Sequence, residues 1–186
     1  MRNSAIEVRP LTRHIGAEIH GVDLREPLDD ADFQTVHDAL MTHQVIFFRD
    51  QDLTPDQHAE FGRRFGALHI HPAAPAAVEG RPELMRIHAD ANSTFAEGTA
   101  WHTDVSCDEC PPMGSILHLH TVPESGGDTL FSSMYAAYDA LSDTMKAILD
   151  PLTGVHESAH IYRGRYEAVG GGLRRTDFPR AEHPVI

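Results

Sequence analysis

The sequence predicts antiparallel β structure with flanking α-helices, and a jelly-roll barrel suits it best. Three observations carry this. Short apolar or alternating runs crowd the middle of the chain, at Leu84–His88, Trp101–Val105, Ser115–His120 and Thr129–Phe131. Helix-period stretches stand before and after them. Within one of the runs, Trp101-His102-Thr103-Asp104 places an imidazole and a carboxylate two residues apart. On an extended strand such residues point to the same side, which suits a strand-borne metal pocket.

The elements follow in order. Residues 6–24 alternate loosely (Ile6, Val8, Ile15, Ala17, Ile19, Val22) and predict two short strands joined by a turn at Pro10 to His14. Asp29 and Asp30 cap a helix with Phe33, Val36, Leu40 and Met41 on one face. Val45-Ile46-Phe47-Phe48 is a compact apolar run, expected as a buried strand. Thr54-Pro55-Asp56-Gln57 combines a capping Thr, a Pro in the first turn and a Gln three residues after the cap. It opens a helix that carries Phe61 and Phe65 and stops at Gly66. The Pro- and Ala-rich stretch from His71 to Ala77 is loop. Residues 89–100 are small, polar and aperiodic, a candidate lid ahead of the His-x-Asp strand. After Gly126-Gly127 and the strand at 129–131, helices are expected at 133–141 and 142–152, with Gly154 as the stop. Gly170-Gly171-Gly172 reads as a flexible break. There are no internal repeats.

Composition narrows the function. A chain of 186 residues, 41% hydrophobic and 23% charged, suits one soluble domain with a real core. The formal net charge of −13, with only 15 Lys and Arg, argues against a nucleic-acid surface. It leaves room for a small anionic substrate held by one local cation. The N-terminal residues lead into no apolar run of signal-peptide type, and no run approaches membrane-span length, so a cytoplasmic protein is expected. Cys107 and Cys110 form a lone C-x-x-C. Zinc would require two further ligands, and a redox helix would not begin with Pro111-Pro112, so two reduced thiols beside the site are expected.

With 14 His in the chain, His-x-Asp alone is a weak signal. Its context is more specific. Trp101-His102-Thr103-Asp104-Val105, Pro111-Pro112 and Pro123-x-x-Gly126-Gly127-Asp128-Thr129-Leu130 resemble the taurine dioxygenase family. So do Ile15-Gly16-Ala17-Glu18-Ile19-His20-Gly21-Val22-Asp23-Leu24, the stretch from His43 to Gln51, and Phe65-Gly66-x-Leu68-His69-Ile70-His71-Pro72. The resemblance covers nearly the whole chain, in order.

It implies an Fe(II)- and 2-oxoglutarate-dependent dioxygenase on a double-stranded β-helix. Carried over by position, His102 and Asp104 are two iron ligands. Thr129 and Leu117 fall where 2-oxoglutarate is contacted, and His71 falls where the substrate anion is held. Trp101 is expected to pack behind the ligand strand. His118 and His120 are expected as sheet residues, with one of them able to approach the pocket. His69, His88, His156, His160 and His183 are expected to have structural or solvated roles. Ala74 and Gly98 replace an aromatic and an amide of the taurine enzymes, which widens the substrate class to taurine, another alkylsulfonate or a sulfate ester. The family's distal His ligand and its 2-oxoglutarate-binding Arg lie beyond a segment like Glu182–Ile186. The chain is therefore expected to be the N-terminal portion of one domain, residues 1–186, without the strands that close the barrel. His183 is not a substitute ligand by this alignment.

Three functions are compatible with these residues: the oxygenase, with O2 as co-reactant; an inactive fragment or binding module of the same fold; and a hydrolase using another metal. The hydrolase is weakest, because the Gly126–Thr129 stretch fits an oxo-acid cosubstrate and no general base is evident. A homodimer would cover apolar surface left exposed on so short a chain.

Overall fold

The computed structural model describes residues 5–71, 77–90, 92–93, 98–162 and 178–186. They fall into two compact units, Met1–Ala67 with Leu117–Ser142, and Leu68–Ile116 with Asp143–Ile186.

The first unit is built on a three-stranded sheet, β1 (Glu7–Pro10), β2 (Ala17–His20) and β3 (Ile46–Phe47). β1 and β2 pair antiparallel, with Glu7 opposite His20 and Pro10 opposite Ala17. β2 and β3 pair parallel, Ala17 opposite Ile46, and helix α1 (Asp30–His43) forms part of the connection. The N-cap of α1 is Asp29, whose carboxylate accepts from the Asp32 amide at 2.8 Å. Its last turn hooks onto the sheet, because the His43 carbonyl accepts from the Gly16 amide at 2.9 Å. Helix α2 (Pro55–Arg63) begins with a complete capping box. The Gln57 amide donates to Thr54 Oγ1 at 3.3 Å, and the Thr54 amide donates to Gln57 Oε1 at 2.9 Å.

Ile19, Leu24, Leu28, Val36, Ala39, Leu53 and Phe61 form the core, with Phe33, Phe48 and Phe65 packed against it. Met41, expected on the buried face of α1, is exposed; Ala39 takes the inward position instead. Arg64 ties the two helices together. It donates to the Leu28 carbonyl at 2.7 Å and to Asp30 at 3.0 Å, and its guanidinium lies 4.3 Å from the centre of the Phe33 ring. Residues 117–142 join this unit through a 2.9 Å contact between His118 Nε2 and the Gln51 carbonyl, and through Phe131 edge-on to Phe47.

The alternating stretches at 115–120 and 129–131 are not regular strands. Alternation makes a strand only where a neighbour completes the backbone hydrogen bonds. Among the described residues none pairs with these stretches. Leu117, Leu119 and Leu130 are accordingly exposed. Helix α3 (Met134–Asp139) is capped by Ser133, and it buries none of its residues.

The second unit contains the hairpin β4 (Ala77–Val78) with β5 (Arg81–Met85) and helix α4 (Asp143–Leu149). It also contains the antiparallel pair β6 (Thr153–Glu157) and β7 (Arg180–Pro184), and a short helix α5 (Ala159–Tyr162). The strand expected at 84–88 lies instead at 81–85, because its register is set by the turn to β4. Gly154 does not stop a helix. It sits inside β6 opposite His183, because Thr153-Gly-Val-His-Glu finds a strand partner in β7. Gly170-Gly171-Gly172 and Ala74 lie outside the described residues, as do Ala91 and residues 94–97 of the candidate lid. Among the described residues, no helix is long and apolar enough to cross a membrane.

Two tests follow from the first unit. Thr54→Ala removes one half of the capping box and should lower unfolding stability by about 1 kcal/mol in a urea titration, while Thr54→Ser should stay close to the parent. Arg49 donates to Glu18 through Nε at 2.8 Å, and Nη2 approaches the same oxygen to 2.7 Å. This hydrogen bonding, with the guanidinium charge, holds the Glu18 carboxyl below its ordinary value. The resulting stability is present above the unfolded carboxyl's titration and is lost as pH falls through the lowered one. Arg49→Met should therefore flatten the acid side of the stability–pH profile.

Candidate metal centre

His102 and Asp104 come together, but not on a strand. Residues 101–103 have no regular structure and residues 104–107 form a turn, with Val105 in the left-handed region at φ 51°. The Asp108 amide closes the turn on the Val105 carbonyl at 3.0 Å. The strand argument fails because this segment, like 115–120, has no ladder partner among the described residues.

Hydrogen bonds fix the pair instead. His102 Nδ1 lies 2.7 Å from the Ala100 carbonyl oxygen. A carbonyl only accepts, so Nδ1 carries a proton and Nε2 is the ring nitrogen left for another partner. That nitrogen stands 3.2 Å from Asp104 Oδ1. The second Asp104 oxygen accepts from Ser115 Oγ at 2.7 Å, which holds the carboxylate in one orientation. At this range a proton on Nε2 joins the two atoms, and the same donors could instead serve a cation. An imidazole nitrogen beside a carboxylate oxygen suits a divalent first-row metal. Both side chains are a little over half exposed, so one side of the pair stays open to incoming ligands. Gly98, at φ +74°, lies near this ring; a Cβ there would stand 3.7 Å from His102 Cε1.

His71 is half-buried and belongs to the same unit as the pair. Thr129 and Leu117 are exposed and belong to the other unit. Trp101 does not pack behind the ligands but is 69% exposed, because the turn leaves it no sheet to cover. Among the described residues no group of three His, Cys, Asp or Glu side chains can hold a metal. Cys107 is buried, Cys110 is exposed, and both are free thiols.

Ser115 carried no signal in the sequence, and three histidines expected in structural or solvated roles prove structural. His69, His156 and His183 all contact residues 106–108, directly after the pair. Ser115 lies eleven residues from Asp104, and no sequence spacing signals that contact.

An imidazole and a carboxylate, each oriented by a hydrogen bond on its far side, could serve as part of a ligand set for one metal ion. The comparisons with known proteins agree in class. Residues 7–186 match the family model described as taurine catabolism dioxygenase TauD, TfdA family, and the chain belongs to that family. It is 37% identical over 190 residues to an alkylsulfatase of Acinetobacter baylyi, covering 97% of this chain and 58% of that protein. It is 37% identical over 158 residues to an alpha-ketoglutarate-dependent sulfate ester dioxygenase of Pseudomonas putida, covering 84% of this chain and 51% of that one. Among solved structures, a taurine dioxygenase from Burkholderia xenovorans superimposes with a TM-score of 0.76 at 36% identity, covering 98% of this chain and 59% of that one. The chain thus spans about half the length of the curated relatives it matches.

The hydrogen bond behind Asp104 is testable. Groups that orient a ligand from behind typically change metal affinity by roughly 10- to 100-fold. Ser115→Ala should weaken Mn(II) binding by that order in a titration followed by fluorescence of Trp101, the single tryptophan. Ser115→Thr, which keeps the hydroxyl, should bind close to the parent.

Proposed function

We infer that the protein is an Fe(II)- and 2-oxoglutarate-dependent dioxygenase that oxidises a small organic anion, with a sulfate ester favoured over taurine. The observation that carries the reading is the pair His102 Nε2 and Asp104 Oδ1, which face each other at 3.2 Å with the far side of each group hydrogen-bonded. Family membership supports the reaction class. The sulfate-ester and alkylsulfatase relatives, each 37% identical, support the substrate class.

Iron with 2-oxoglutarate and O2 would supply the oxidising power. Together they would hydroxylate a substrate C–H and leave succinate and CO2. On the carbon that carries the sulfate oxygen, the new hydroxyl collapses to a carbonyl and expels sulfate. An alkylsulfonate would expel sulfite by the same logic. This chain's residues do the holding. His102 and Asp104 bind the metal, the Ala100 carbonyl fixes the imidazole tautomer, and Ser115 fixes the carboxylate. By position in the family, His71 would bind the substrate anion, and Thr129 and Leu117 would contact 2-oxoglutarate. Gly98 leaves space beside the His102 ring where the taurine enzymes carry an amide.

In the whole protein we place this chain in a single jelly-roll domain. The exposed alternating stretches 115–120 and 129–131 become barrel strands there, paired with chain that the longer relatives possess. A cytoplasmic location, a homodimer and the lack of a nucleic-acid role belong to the same proposal, on the strength of the acidic composition and the exposed apolar residues. A second reading, an inactive fragment or binding module, is favoured by one observation: no third ligand joins the pair among the described residues.

Anaerobic addition of Fe(II) and 2-oxoglutarate to the whole protein should produce a weak visible charge-transfer band, and His102→Ala should abolish it. With air and a medium-chain alkyl sulfate, sulfate and succinate should appear in equal amounts. A band that survives His102→Ala contradicts the ligand assignment, and absence of any Fe(II) binding favours the second reading.

A further inference from the structure

Three histidines outside the proposed ligand set converge on the turn that follows it. His183 Nε2, from β7, lies 2.9 Å from the Asp108 carbonyl oxygen. His156 Nδ1, from β6, lies 2.9 Å from Ser106 Oγ, and the two rings stand 5.3 Å apart, edge to face. His69 Nε2 lies 2.7 Å from Asp108 Oδ2.

These contacts differ in kind. The two from the β6–β7 pair grip a backbone carbonyl and a hydroxyl, so they brace the turn from one side whatever the Asp108 side chain does. The third runs through the Asp108 carboxylate alone and reaches the chain segment ahead of His71. Both partners are about three-quarters covered, with side-chain exposures of 28% and 23%. A short, shielded hydrogen bond to a carboxylate is among the stronger polar contacts a protein makes. His71 follows His69 by two residues, so its backbone lies within roughly 7 Å of the anchor.

We propose that Asp108 is a positioning residue that couples His71, the substrate-anion residue, to the turn bearing His102 and Asp104. This rests on the function inferred above. Cutting the link leaves the metal pair braced by His156 and His183 but frees the segment that orients the substrate. The damage falls on substrate alignment, not on metal affinity.

The test is Asp108→Ala in the whole protein, with three readouts. Mn(II) affinity, followed by Trp101 fluorescence, stays within about threefold of the parent, because the backbone carbonyl that His183 grips remains. KM for the alkyl sulfate rises by roughly ten- to a hundredfold, the scale of a small misplacement. More 2-oxoglutarate is consumed per sulfate released. Asp108→Asn, whose amide oxygen still accepts from His69, recovers most of the loss. His69→Phe cuts the same bond from the other side and reproduces the pattern if Asp108→Ala fails to fold. An unchanged KM with an unchanged consumption ratio overturns the proposal, and so does a loss of metal binding that accounts for the whole defect. If the parent turns over no sulfate ester or sulfonate, the inferred function fails separately. Hydrogen exchange then decides the coupling: faster exchange at residues 68–71 in Asp108→Ala, with 101–107 unchanged, supports it, and unchanged exchange at 68–71 overturns it.

Discussion

The hydrogen bond between His102 Nδ1 and the Ala100 carbonyl, 2.7 Å long, decides how the rest of this centre works. It commits the proton to one ring nitrogen and aims the other at Asp104. Without it the ring would have two tautomers and free rotation, and a metal would have to supply the ordering that the chain now supplies in advance. Ser115 performs the same service for the carboxylate from eleven residues away. The consequence is an imidazole–carboxylate pair with fixed donors on an open face. That suits chemistry in which cosubstrate, oxygen and substrate must all approach one ion.

The turn that carries the pair is irregular and partly exposed, so its order has to come from outside it. The β6–β7 pair supplies that order through His156 and His183. The proposed substrate-binding segment joins the same turn through His69 and Asp108. Histidine fits these posts because each ring can donate to an oxygen while its body packs against a neighbour, as His156 and His183 do with each other. A chain with 14 His therefore uses several of them as struts around the one proposed as a metal ligand.

Legibility in the sequence tracked locality. The caps at Asp29 and Thr54 were readable because each is satisfied within three residues, and the structure forms both. The β1–β2 pair was readable from alternation around a short turn. The stretches at 115–120 and 129–131 alternate as well, yet a strand is completed only by a partner, and local pattern carries no information on whether one is present. The closeness of His102 and Asp104 was foreseen for the wrong reason: the pair sits on irregular backbone that leads into a turn, where alternation on a strand was expected. Gly154 read as a helix stop because β7, its partner, lies across residues with no sequence signal of pairing. The contacts of Asp108 with His69 and His183 span 39 and 75 residues, which no spacing rule reaches.

The most direct measurement is anomalous diffraction from a crystal of the whole protein grown with Mn(II) and 2-oxoglutarate. The account predicts a single strong manganese peak bonded to His102 Nε2 and an Asp104 oxygen, with His102 Nδ1 still on the Ala100 carbonyl. A manganese peak elsewhere, or one at this site bonded through Nδ1, would contradict it.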